Sequence, residues 1–189
     1  MTQQGKNAID LVLAESLIEL SAKKPIDKIT IKEITDKAGV IRPTFYNHFQ
    51  DKYELIEWII KTELLEPIKP LLNAGMIFEA IVLMLNNISA NSVFYKKALK
   101  LEGAVTFNQI AMKCVCEMFM NIISEKSTGK KSKYRWLTPE VISTYYAQSL
   151  CFITEGWIDQ GMDDIEPKEM AEAYMYLITR SMDDILSEL

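Results

Sequence analysis

Apolar residues recur along this chain at three- and four-residue intervals, and no sustained period-two alternation bounded by hairpin turns is found, so the pattern predicts an all-α fold. In a first helix from about Asn7 to Lys24, Ile9, Leu13, Leu17 and Leu20 form one stripe, and Lys23-Lys24-Pro25 ends it. Thr30-Ile31-Lys32-Glu33 has capping-box spacing, in which a hydroxyl and a carboxylate each satisfy an orphan backbone N–H. Ala38-Gly39-Val40 closes that second helix after about two turns. A third opens at Arg42-Pro43, where proline's fixed φ and missing N–H cost little, and closes near Phe49. Asp51-Lys52-Tyr53-Glu54 launches a longer helix through Leu55, Ile56, Ile59, Ile60, Leu64 and Leu65 until Pro67 and Pro70 disturb it. Helices near 76–89, 91–101, 103–125, 139–160 and 167–187 bring the expected total to about nine. Thr138-Pro139-Glu140 and Pro167-Lys168-Glu169 are starts, and Gly161 is a stop.

Two short helices joined by Ala-Gly-Val and flanked by longer ones have the layout of a helix-turn-helix unit. Residues 1–52 therefore read as a three-helix DNA-binding domain, and residues 53–189 as a second, larger helical domain. Within the first, Ile31, Ile34 and Ala38 give one short helix its buried stripe, Phe45 and Phe49 anchor the other, and Val40 plugs the turn. Arg42, Pro43, Thr44, Tyr46, Asn47 and His48 are left for the outer arc, a hydrogen-bonding and partly basic surface. Two plainer alternatives stand beside this. Tyr46 could pack against the first helix, and Arg42 could be a solvated charge, although an arginine at a helix N-terminus opposes the macrodipole unless an anion is near.

Composition narrows the function classes. The chain has 189 residues, 49% hydrophobic and 25% charged, enough for a sizeable core. No apolar run is long enough to span a membrane, and Asp10 and Glu15 interrupt what would have to be a signal sequence, so a cytoplasmic protein is expected. Cys114, Cys116 and Cys151 make no even-numbered framework and no CxxC pair, which predicts reduced thiols and no metal site. His48 is the only histidine, and with no nucleotide-binding loop or distinctive carboxylate pair neither an enzyme nor a cofactor is expected. The net charge of −5 divides unevenly, with 8 Lys+Arg against 7 Asp+Glu in residues 1–52 and 13 against 19 in the rest. Only the first part could approach a polyanion without strong repulsion.

Residues Ile29 to Leu55, ITIKEITDKAGVIRPTFYNHFQDKYEL, resemble the TetR-type transcriptional regulators, matching their Thr, apolar pair, Ala-Gly-Val, aromatic-Tyr-x-His-Phe core and Lys before the fourth helix. The resemblance implies that Arg42, Thr44 and Asn47 lie near base edges with Pro43 in apolar contact, and that Thr30, Tyr46, His48 and Lys52 hold phosphates. One departure is Ile41, where the family commonly has a small hydroxyl residue, so the cap of the recognition helix is weaker here. The stretch GWIDQGMDDIEPKEMAEAY, Gly156 to Tyr174, is similar to the shorter C-terminal domain of low-GC Gram-positive members. Implied together are a dimeric repressor on a palindromic operator, released by a small-molecule effector. The alternatives are an activator of the same architecture, or a helical sensor acting through a protein co-regulator.

In the C-terminal part, the last two helices are apolar over more than one stripe. Tyr146, Leu150, Ile153, Trp157, Tyr174, Leu177 and Met182 are the candidates for a homodimer interface, with intramolecular core as the alternative. Phe78, Met84, Phe94, Phe107, Met112 and Phe119 are soft or aromatic residues that fill cores and also line adaptable effector pockets. Lys126 to Arg135 carries five basic residues in ten without apolar periodicity, which reads as a solvated connector or as a contact for an anionic partner.

Overall fold

The computed structural model describes residues 3–126 and 132–188, and every regular element among them is helical. The N-terminal unit is built from α1 (Gln3–Ser21), a 3-10 turn (Ile26–Lys28), α2 (Ile31–Ala38) and α3 (Arg42–Tyr46). Next come α4 (Lys52–Ile59), a π-helical segment (Ile60–Leu65) and α5 (Glu66–Asn73). The remainder comprises α6 (Ile77–Ala90), α7 (Ser92–Ala98), α8 (Phe107–Lys126), α9 (Pro139–Asp159), α10 (Pro167–Thr179) and α11 (Met182–Glu188). One apolar core runs through the chain, from Leu13, Leu17, Ile34 and Phe45 at the head to Leu150, Trp157 and Tyr174 at the far end.

Local chemistry explains the head. Thr30 accepts from the Glu33 N–H at 3.3 Å while the Glu33 carboxylate accepts from the Thr30 N–H at 2.9 Å, a complete capping box. Gly39 closes α2 at φ 68°, in the left-handed region that costs a Cβ-bearing residue energy, and the Val40 N–H reaches back to the Thr35 carbonyl at 3.0 Å. Ile41 caps α3 with no side-chain hydrogen bond. Asp51 caps α4 by accepting from the N–H groups of Tyr53 and Glu54.

The disturbance expected at Pro67 and Pro70 is a π-helical segment just before Pro67 rather than a break: α4, the π segment and α5 follow one another directly as far as Asn73. A proline in a helix leaves the carbonyl four residues back without its N–H donor. For Pro67 that carbonyl belongs to Glu63, and the Asn87 side-chain amide of α6 donates to it at 2.9 Å. The expected helix over 167–187 is broken in two, which raises the count above nine. Arg180 is extended at φ −107°, ψ 151°, and Ser181 forms a further capping box with Asp184 that starts α11. The start of α8 also moves, from 103 to Phe107, where Thr106 and Gln109 cap each other.

The basic stretch 126–135 lies partly outside the described residues, at 127–131. Of its flanks, Lys126 donates to the Leu72 carbonyl at 2.8 Å, and residues 132–135 are exposed.

Candidate nucleic-acid interface

Phe45 and Phe49 fix which side of α3 faces outward. Both are buried, their rings 5.8 Å apart, and Phe49 meets Trp58 of α4 edge-on at 6.3 Å. The short helix ends at Tyr46 but a further turn follows, with the Phe49 N–H donating to the Phe45 carbonyl at 2.8 Å. With one side pinned, Arg42, Pro43, Tyr46 and Asn47 are exposed and Thr44 half-exposed on the opposite arc. The Arg42 guanidinium lies over the arc toward Tyr46, Nη2 donating to the phenol oxygen at 3.4 Å. Thr30 is exposed at the start of α2, but its hydroxyl is engaged within the cap, donating to the Glu33 carboxylate at 2.8 Å and accepting from the Glu33 N–H at 3.3 Å. That surface can donate and accept hydrogen bonds in several directions, and it includes a cation that has no carboxylate partner among the described residues.

His48 and Lys52 are placed differently from the other expected contacts. The His48 side chain is only 2% exposed, and its Nδ1 shares a 2.6 Å hydrogen bond with the Asp10 carboxylate of α1. Phosphate contact through this ring is therefore corrected to an internal strut that ties the turn after α3 to α1. Lys52 donates to three carbonyls of the 3-10 turn, those of Ile26, Asp27 and Ile29, at 3.0, 2.7 and 3.1 Å. Burial lowers its pKa, opposed by the negative charge of Asp27 and reinforced by Lys24 and Lys28. Its three ammonium hydrogens are thus matched by protein acceptors, and Lys52 also serves as a brace. Nothing in the sequence marked Asp10 as the partner of His48, because a partner 38 positions away leaves no local signal.

Candidate effector residues separate into different places. Met84 lies between two cavities, one of about 370 Å³ that also touches Phe119 and one of about 60 Å³ that also touches Phe107. Phe94 is fully buried near α1, while Phe78 and Met112 are half-buried and line neither cavity. The thiols of Cys114, which is buried, and Cys151, which is half-buried, are pushed up to about 12 by loss of solvent, which disfavours the reactive thiolate.

The dimer candidates divide as well. Leu150, Trp157 and Tyr174 are buried inside the single chain, so they are corrected to intramolecular core. Trp157 Nε1 donates to the Ile165 carbonyl at 2.8 Å and Tyr174 meets Ser149 at 3.1 Å, contacts that hold α10 onto α9. Ile153 is half-buried, whereas Tyr146, Leu177 and Met182 are exposed. Tyr145 and Phe152, in the same apolar pattern of the α9 sequence, and Leu186 of α11 are exposed as well. The helical period that identified the helices could not say which of two apolar stripes faces inward.

Comparison with known proteins gives consistent results. A family model described as bacterial regulatory proteins, tetR family, matches residues 15–59, and one described as a transcriptional regulator C-terminal region matches residues 76–180. The chain is 26% identical over 152 residues to the HTH-type dhaKLM operon transcriptional activator DhaS of Lactococcus lactis subsp. lactis (strain IL1403), covering 79% of each chain. Among solved structures, the dihydroxyacetone kinase operon activator DhaS is similar in fold with a TM-score of 0.63, at 21% identity over 90% of this chain and 93% of that one. NalD, the secondary repressor of the MexAB-OprM multidrug efflux pump in Pseudomonas aeruginosa, gives a TM-score of 0.60 at 12% identity over 92% of this chain and 96% of that one.

Proposed function

Because this chain belongs to the TetR family of bacterial transcriptional regulators, whose members bind DNA operators and usually act as dimers, we propose that it is a dimeric repressor reading a palindromic operator and released by a small molecule. Residues 1–52 are the reading head and 53–189 the sensing and dimerising part. The observation that carries this reading is the arc of α3 held outward by Phe45 and Phe49. Arg42, Thr44 and Asn47 face base edges in the major groove with Pro43 in apolar contact, while Thr30 and Tyr46 take phosphates. His48 and Lys52 act from within, keeping α3 at a fixed angle to α1 and the 3-10 turn.

So short a recognition element touches few base pairs, which is why two copies are needed. Half-sites one helical turn apart, or a multiple of it, double the number of contacts and fix the spacing. The copies meet through exposed apolar positions of α9, α10 and α11, with Phe152, Leu177 and Met182 central.

Enriching genomic fragments on the purified protein and measuring their retention in gels tests this directly. Arg42→Ala should weaken the selected fragment by about 1–3 kcal/mol, roughly fivefold to 150-fold, and relax the preference at one base position. Tyr46→Phe should weaken all sequences alike and leave the salt dependence of binding unchanged, because a phenol carries no charge and displaces no counterion. Unaltered affinity in both variants removes the assigned contacts.

A second reading is supported by the relative from Lactococcus lactis, which is an activator. A reporter placed behind the selected fragment separates the two: deletion of the regulator raises expression for a repressor and lowers it for an activator.

A further inference from the structure

The smaller cavity has an apolar wall, and two of the residues that line it carry enclosed hydroxyls that the fold leaves unused. It lies where the π segment, α6, α7, α8 and α9 meet, lined by side chains such as Ile60, Leu64, Met84 and Phe107. Tyr95 of α7 is 1% exposed, the Thr154 hydroxyl of α9 is enclosed, and both residues line this cavity. Neither Tyr95 Oη nor Thr154 Oγ1 has a hydrogen-bond partner among the described residues. Buried polar groups are nearly always satisfied within a fold, and two exceptions on one cavity wall mark a place built for a guest.

The character of the wall selects the guest. No lysine or arginine lines the cavity, so an anion finds no counter-charge. The one carboxylate, Glu155, already accepts from the Asn108 side-chain amide of α8, and the hydrocarbon around it could not replace a cation's hydration. The Tyr95 phenol is kept protonated by burial and secondarily by Glu63, so it can both donate and accept. A volume of about 60 Å³ admits about four to six water-sized groups.

On the reading that this is a ligand-responsive regulator, we propose that the cavity binds a small uncharged molecule with two hydrogen-bonding oxygens, a hydroxyketone or vicinal diol, held by Tyr95 and Thr154. Its position suits control of the head. Ile60, Leu64 and Leu65 of the π segment form one wall, and the helix they belong to begins at Lys52 and carries Trp58 against Phe49. The loop after α7 reinforces the link, because Gly103 lies so close to Tyr53 that a Cβ there would be 2.8 Å from its hydroxyl. A guest that spreads this cavity therefore pushes on the base of the reading head.

The test is calorimetric titration of the full chain with hydroxyacetone and 1,2-propanediol as neutral probes, acetate and methylammonium as charged ones, and xenon followed by NMR as the apolar one. A neutral probe should bind one per chain at millimolar concentration or better. Tyr95→Phe and Thr154→Val should each weaken it about tenfold. Both variants should melt no lower than the wild type, since each removes an unpaired buried hydroxyl. Preference for a charged probe, xenon entry with no neutral binding, or neutral binding that ignores both substitutions overturns the proposal. Retention of the selected DNA fragment is measured separately on the same samples. If DNA binding is absent while probe binding follows Tyr95 and Thr154, the regulator reading fails and the cavity assignment stands.

Discussion

At the scale of single residues, the head depends on pairs that join distant parts of the chain. His48 and Asp10 are the clearest case. Asp10→Ala leaves the buried imidazole without its acceptor, and a loss of about 1–3 kcal/mol in unfolding free energy is expected by chemical denaturation. Fragment affinity should fall too, although Asp10 lies outside the assigned arc, because the turn after α3 loses its tie to α1. Glu33 gives a pH-dependent counterpart. Hydrogen bonds from Lys24 and then from Thr30 hold its carboxyl at about 2 instead of the ordinary 4.5. A group depressed in the folded state stabilises fully above its unfolded value, and that contribution drains away as pH falls from about 4.5 toward about 2. The difference in melting temperature between pH 6 and pH 3 should accordingly be smaller in Glu33→Gln than in the wild type. An equal difference in both would remove Glu33 from the acid response.

Helices behave here as units whose ends and irregularities are set by identifiable side chains. The passage of α4 into α5 through the π segment is the most consequential, since it carries the head onto the rest of the chain. Ion pairs brace it. Lys61 reaches Glu57 at 2.7 Å and Glu117 of α8 at 2.8 Å, and Lys113 of α8 reaches Glu57 at 2.8 Å. Asn87 supplies the hydrogen bond that Pro67 cannot. Asn87→Ala should therefore destabilise the chain by about 1–3 kcal/mol, the cost of a carbonyl stranded in a partly buried place. Amide exchange followed by mass spectrometry would report whether the opening is confined to residues 60–73, and uniform protection equal to that of the wild type would contradict the role assigned to Asn87.

For the molecule as a whole, the decisive feature is an apolar surface with nothing against it. Phe152 and Met182 are each 75% exposed, and α11 buries no residue within its own chain. An interface between two copies would take such side chains out of water. Phe152→Glu combined with Met182→Glu should shift sedimentation from dimer to monomer while leaving the helical circular-dichroism spectrum intact. Fragment binding should fall by more than either half-site contact accounts for, because the loss is that of the second head. A dimer that survives both charges would move the interface elsewhere.

The sequence by itself determined that the chain is helical, where most helices begin, and which turn carries the reading helix. Those properties are local: cap residues, proline and glycine positions and the 3.6-residue period act within a few residues of each other. The Ser181–Asp184 box shows that even the missed break after α10 was written locally and could have been read. Only the tertiary structure decided that His48 turns to Asp10, that Lys52 binds three carbonyls, that Leu150, Trp157 and Tyr174 belong to the core, and that Tyr95 and Thr154 share one cavity. Each of those depends on which side of a helix meets a neighbour far away in the chain, and periodicity fixes the stripes on a helix without saying what covers them.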